Sequence, residues 1–151
     1  MEILAFAVLA GLCVVLSGWD LRERRLPNSL TGTLLLGVLG YALGTAQFTA
    51  AMVGALLLAV PYLLVHLVAP HALGAGDVKL AAGLGAAAGL GGAHTWVCAA
   101  VAAPFLTAGV GVVALCADRI RRRTQSAGPY AVPHGPAMCA ATLLALVAAP
   151  P

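Results

Sequence analysis

The 151-residue sequence predicts an all-α, polytopic integral membrane protein with about six transmembrane helices and both termini outside. Three observations carry that prediction. Hydrophobic residues make up 62% of the chain and charged residues 9%, with a mean hydropathy of +1.00, whereas a soluble domain carries about 25% charged residues. Apolar segments recur at 3–19, 30–46, 50–69, 78–93, 95–117 and 136–149. Every lysine and arginine falls in an alternate break between those segments.

The first segment opens with Glu2 and has no basic n-region, so it reads as a helix and not as a cleavable signal peptide. A hydrocarbon core about 30 Å thick asks for roughly 20 helical residues, about 17 at the least. The third and fifth segments exceed that and the first two just reach it. The fourth and sixth are short enough to be tilted or re-entrant. Pro61 and Pro104 fall inside the third and fifth spans, where a kink is expected. Gly40 with Gly44, and Gly85 with Gly89, have the small-xxx-small spacing that lets helix backbones approach, and both pairs read as packing. No repeat or linker divides the chain, so residues 1–151 read as a single domain.

The polar breaks are 20–29, 45–49, 71–79, 91–95 and 118–135. Arg22, Arg24 and Arg25 lie in the first, Lys79 in the third, and Arg119, Arg121, Arg122 and Arg123 in the fifth. The positive-inside rule places these three breaks in the cytoplasm. Topology thereby accounts for the net charge of +3. The cations are too few and too clustered for a nucleic-acid surface, although the run at 118–123 suits anionic lipid headgroups. Cys13, Cys98, Cys116 and Cys139 form no CxxC pair, and each reads as a small buried hydrophobe. His66, His71, His94 and His134 are scattered over both faces. Neither a metal nor another cofactor is expected. Trp19 and Trp96 fit interfacial anchors at the inner and outer faces.

Only five acidic residues exist: Glu2, Asp20, Glu23, Asp77 and Asp118. Asp20 ends the first span and Asp77 opens the fourth, so both sit at the cytoplasmic boundary. A carboxylate at that depth is costly and marks a site. Two carboxylates side by side cannot both ionise easily, and they share a proton. One can then activate water as general base while the other, protonated, polarises a scissile carbonyl as general acid. Gly74 and Gly76, without Cβ atoms, would let the backbone before Asp77 bend and approach a substrate strand. The blander reading makes Asp20 a water-exposed helix end paired with Arg22 or Arg24, and Asp77 a residue favoured by a helix dipole.

The stretch GAGDVKL (74–80) resembles the GxGD signature of type IV prepilin peptidases. DLRERRLPN (20–28) is similar to that family's other motif, and GPYAVPHGPAM (128–138) to its Pro-x-Gly-Pro segment before the last helix. The three occur in the family's order, each in a break placed in the cytoplasm. The resemblance implies that Asp20 and Asp77 are the catalytic aspartates of a membrane aspartic endopeptidase. Gly74, Gly76, Lys79, Arg24, Arg25, Pro27 and Asn28 match supporting motif positions. It further implies a prepilin or pseudopilin substrate, whose short basic leader is cut at the cytoplasmic face of a bacterial inner membrane. The chain lacks the paired CxxC region of larger members, so methyltransferase activity is not implied, and it looks like the compact form associated with Flp-type pili. It departs from the family in reading Pro133-His134-Gly135-Pro136, with histidine where an aromatic or hydrophobic residue is more usual.

Two other classes compete. A non-enzymatic subunit of a secretion or transport system would pair its aspartates with arginine, and would not need Asp20 and Asp77 to approach each other. A presenilin-type protease shares GxGD but cuts within the bilayer, which the 20–28 motif and the boundary depth of both aspartates oppose.

Overall fold

The computed structural model describes residues 2–71, 73–121 and 134–149. Among them are six helices and no strand: α1 (Ile3–Glu23), α2 (Asn28–Gly44), α3 (Phe48–Val68), α4 (Ala75–Leu90), α5 (Gly92–Arg121) and α6 (Gly135–Val147). Helices α1, α3 and the stretch Gly92–Ala114 of α5 are each long and apolar enough to cross a membrane alone. Large apolar side chains such as Leu4, Val14, Leu36, Leu57, Phe105 and Val113 are exposed around the bundle. An apolar perimeter on this scale belongs to a chain whose solvent is lipid. The protein is an all-α membrane protein.

Helix α4 is the axis of the bundle. Its 16 residues span about 24 Å at about 1.5 Å per residue, less than the hydrocarbon thickness. Nevertheless Leu80, Ala81 and the run Gly83–Ala88 are all buried. It touches α2, α3, α5 and α6, and its most extensive contact is with α3. That contact depends on missing side chains. A Cβ on Gly85 would lie 2.5 Å from the Gly54 carbonyl oxygen, and one on Gly89 would lie 2.6 Å from that of Ala50. Lipid supplies no hydrophobic drive for helices to associate, so close backbone approach and dispersion hold them instead. Leu16, Leu34, Leu80, Leu84 and Met138 fill the space around α4 completely buried.

Several expectations change. Gly40 and Gly44 meet no neighbour within 4 Å, so their spacing packs against nothing in the bundle, unlike Gly85 and Gly89. The break at 91–95 shrinks to a single residue between α4 and α5, because Gly92 adopts φ +88, a left-handed conformation that glycine tolerates. Helix α5 continues past residue 117 to Arg121, arginine being a good helix former. Cys98 and Cys116 are exposed, which costs a small hydrophobe nothing on a lipid-facing surface, whereas Cys13 and Cys139 are buried. Trp96 turns inward as well, its indole N–H donating to the Gly54 carbonyl at 3.0 Å instead of reaching an interface. Trp19 is partly exposed. Pro61 and Pro104 lie inside helices that run on past them. Arg122, Arg123 and residues 128–133 of the third motif lie outside the described residues.

The α3–α4 contact predicts opposite outcomes for two glycine substitutions. Gly85→Ala drives a methyl group into the Gly54 backbone and should cost about 1–3 kcal/mol. Gly40→Ala meets open space and should stay within about 0.5 kcal/mol of wild type. Thermal unfolding of the two variants in detergent measures the difference.

Candidate active site

The ends of α1 and α3 and the starts of α2, α4 and α6 meet at one end of the bundle. Asp20 sits in the last turn of α1 and is only 7% exposed. Its Oδ2 accepts the backbone N–H of Gly135, the first residue of α6, at 3.0 Å. A Cβ at position 135 would stand 2.7 Å from that oxygen, so only glycine admits the contact. The burial of Asp20 removes the reading of a water-exposed helix end. Asp77, in the first turn of α4, accepts the N–H of Gly74 through Oδ2 at 3.1 Å. It also sits at the favourable end of the α4 dipole. Each carboxylate is therefore held by a backbone N–H at the start of a helix. Leu26, on the connection that follows α1, packs against Gly76 at the start of α4, so Asp20 and Asp77 lie at the same end of the bundle.

The motif glycines act differently from the expectation. Gly74 has ordinary extended backbone, with φ −73 and ψ 149, and Gly76 already belongs to α4. Its lack of a side chain admits Leu26, whose Cβ would lie 3.0 Å from a Cβ at position 76. The connection between α1 and α2 thus rests on the start of α4. Lys79 secures the same junction by donating to Asn28 Oδ1 at 2.6 Å, so it bridges the two motifs. Arg24 caps α1 in the left-handed region at φ 50, its N–H on the Asp20 carbonyl at 3.1 Å. Pro27 caps the start of α2, and its carbonyl accepts the N–H groups of Leu30 and Thr31. Arg25 is exposed. His66 Nδ1 donates to the Leu73 carbonyl at 2.7 Å and pins the chain leading into α4.

Three further polar residues join one another at this end of the bundle, and the sequence did not single them out as a group. His134, immediately before α6, lies within electrostatic reach of both aspartates. Its Nε2 is 2.9 Å from the Tyr62 hydroxyl of α3, and its Nδ1 meets Thr107 Oγ1 of α5. Burial pushes the imidazole below its ordinary pKa, against the pull of Asp77 and Asp20. The motif GPYAVPHGPAM does contain His134, and its departure from the family was the available signal. Tyr62 and Thr107 are isolated polar residues in apolar helices, and nothing in their spacing points to the site. Among the described residues, no group of three or more His, Cys, Asp or Glu side chains is arranged to hold a metal ion. An apolar cavity of about 310 Å³ between α1 and α2 lies towards the opposite end, lined by Leu9, Leu34, Val38 and Tyr41 among others. It holds none of these polar groups.

A model of the type IV leader peptidase family matches residues 7–115, a stretch that includes Asp20, Tyr62, Asp77, Lys79 and Thr107 and stops short of His134. No curated protein and no solved structure matches the chain.

Two substitutions separate the built contact from the peripheral one. Gly135→Ala pushes the Asp20 carboxylate off its donor and should cost about 1–3 kcal/mol. Asn28→Ala removes only the exposed partner of Lys79 and should cost less than about 1 kcal/mol. The midpoint of unfolding in a detergent titration reports both.

Proposed function

The chain belongs to the type IV leader peptidase family, and we propose that it is an aspartic endopeptidase using Asp20 and Asp77 to cut the basic leader from Flp-type prepilins or pseudopilins. The observation that supports this reading is that Asp20 and Asp77 lie at the same end of the bundle, each accepting a backbone N–H at the start of a helix. A structural role in a transport subunit would not require that approach.

The chemistry follows from the pair. With one proton between them, the ionised carboxylate takes a proton from a water molecule as its oxygen attacks the scissile carbonyl. The protonated partner gives its proton to the carbonyl oxygen, and a tetrahedral diol forms. Collapse breaks the C–N bond as a proton passes to the leaving amine, and the pair ends with one proton again. Backbone N–H donors suit this work, since they fix each carboxylate while leaving its second oxygen for water or substrate. An arginine partner would hold both carboxylates ionised and remove the acid.

The reading places the active site at the cytoplasmic face of a bacterial inner membrane, within a six-span chain whose termini face outward. Arg22, Arg24, Arg25 and Lys79 support that placement, because they lie at the same end as both aspartates. The exposed Glu23 offers the basic leader an acidic contact there. Leader cleavage without methyl transfer is the activity assigned, as none of the four cysteines forms a CxxC pair.

The test is cleavage of an Flp-type prepilin in membranes by wild type, Asp20→Asn and Asp77→Asn at matched expression. Each single change should lower the rate at least about 100-fold. Cleavage that survives either change removes that aspartate from the mechanism and overturns the reading.

A further inference from the structure

A carboxylate pair that works by sharing one proton responds to any charge placed beside it. The imidazole nearest this site by chain position is His134, which immediately precedes the Gly135 N–H that holds Asp20. We propose that His134 is a positioning residue for the aspartate pair: held neutral between Thr107 and Tyr62, it sets an uncharged ring beside both carboxylates, and on gaining a proton it drives their shared proton off. This inference rests on the aspartic peptidase reading of the same site.

The hydrogen bonds favour one neutral form of the ring. The single hydroxyl proton of Thr107 goes to the Ala103 carbonyl, 3.0 Å away in the preceding turn of α5. Towards His134 Nδ1, Thr107 can therefore only accept, and Nδ1 carries the hydrogen. In the neutral ring, Nε2 then presents a lone pair, and the Tyr62 hydroxyl donates to it at 2.9 Å. All three groups are satisfied together without a charge on the ring. The backbone contributes as well, since the residue after His134 supplies the N–H that holds Asp20. Ring and carboxylate are thus fixed by adjacent residues at the start of α6.

A second proton on Nε2 breaks this arrangement. Nε2 becomes a donor, and Tyr62 must turn its own proton elsewhere. The imidazolium then stands beside both aspartates and favours their ionised forms. The proton balance is simple: the ring takes one from water, and the pair releases its shared one to water. The general acid is lost. Among the described residues, the titratable groups around the ring are Asp20 on α1, Tyr62 on α3 and Asp77 on α4. Helix α5 contributes the neutral Thr107, Cys139 of α6 lies beside Asp20 and Cys13, and His66 is turned to the Leu73 carbonyl.

Cleavage is followed from about pH 4 to about pH 8, a range extended below that of ordinary imidazoles because burial lowers the pKa of the His134 ring, with wild type, His134→Gln and His134→Phe. Glutamine can donate to Thr107 and accept from Tyr62 but never becomes a cation. Its rate relative to wild type should rise at least about threefold from the neutral to the acid side of that range. His134→Phe should lower kcat with little change in KM, and His134→Gln should recover part of the loss. Superimposed wild-type and Gln profiles, or equal kcat for Phe and Gln, overturn the proposal. A second readout needs no cleavage. In nitrogen NMR of histidine-labelled protein in detergent, the signal absent from His134→Gln should show the Nδ1–H tautomer at neutral pH. Asp77→Asn should move its titration to lower pH, because a nearby anion stabilising the imidazolium is gone. An Nε2–H tautomer, or an unmoved titration, overturns the proposal. If both Asp→Asn variants still cleave, the functional reading fails instead, and the nitrogen spectrum still decides the state of the ring.

Discussion

A carboxylate surrounded by helices in a lipid solvent must be supplied with hydrogen-bond donors, because an isolated charge there is costly by several kcal/mol at least. Asp20 is almost fully buried, and the donor it receives is the first N–H of α6. Asp77 receives the N–H that caps α4. The free N–H groups of a helix start are ready donors, and the dipole adds to their attraction for an anion. Using them has an architectural consequence. The starts of α4 and α6 must come to the end of the bundle where α1 finishes, so the order and direction of the helices follow from how two acids are satisfied.

The bundle around that end is made of small residues for a related reason. With lipid outside, burying leucine against leucine gains little, and close packing must come from backbones in contact. Gly54, Gly85 and Gly89 provide it between α3 and α4, and the carbonyl of Gly54 also takes the indole N–H of Trp96 from α5. Three helices are joined at one glycine. The short α4 can therefore sit at the centre of the bundle, with Asp77 in its first turn.

Around the carboxylates the remaining polar groups are mostly uncharged. Tyr62, Thr107 and His134 form a chain of hydrogen bonds that a neutral ring satisfies at both of its nitrogens. Lys79, the nearby cation of the GxGD stretch, is occupied with Asn28 on the connection to α2. The Lys79 ammonium is thereby directed to the connection between α1 and α2. The same bond gives Lys79 and Asn28 a shared task, as two motifs far apart in the chain become one junction.

The sequence by itself determined that the protein is helical and lives in a membrane, because composition and the length of apolar runs answer to the solvent and need no tertiary information. The two aspartates were legible for the same reason: a charge in an apolar chain stands out wherever it sits. Their donors were not, since Gly135 and Gly74 are ordinary glycines until α6 and α4 are placed against them. Likewise Gly40 with Gly44 and Gly85 with Gly89 share one spacing, yet only the second pair meets a neighbour. Spacing states which residues share a face of a helix and says nothing of what lies opposite. The roles of Tyr62, Thr107 and His134 depended entirely on the tertiary structure, since they come from three regions of the chain and become a group only where those regions converge on the carboxylate end.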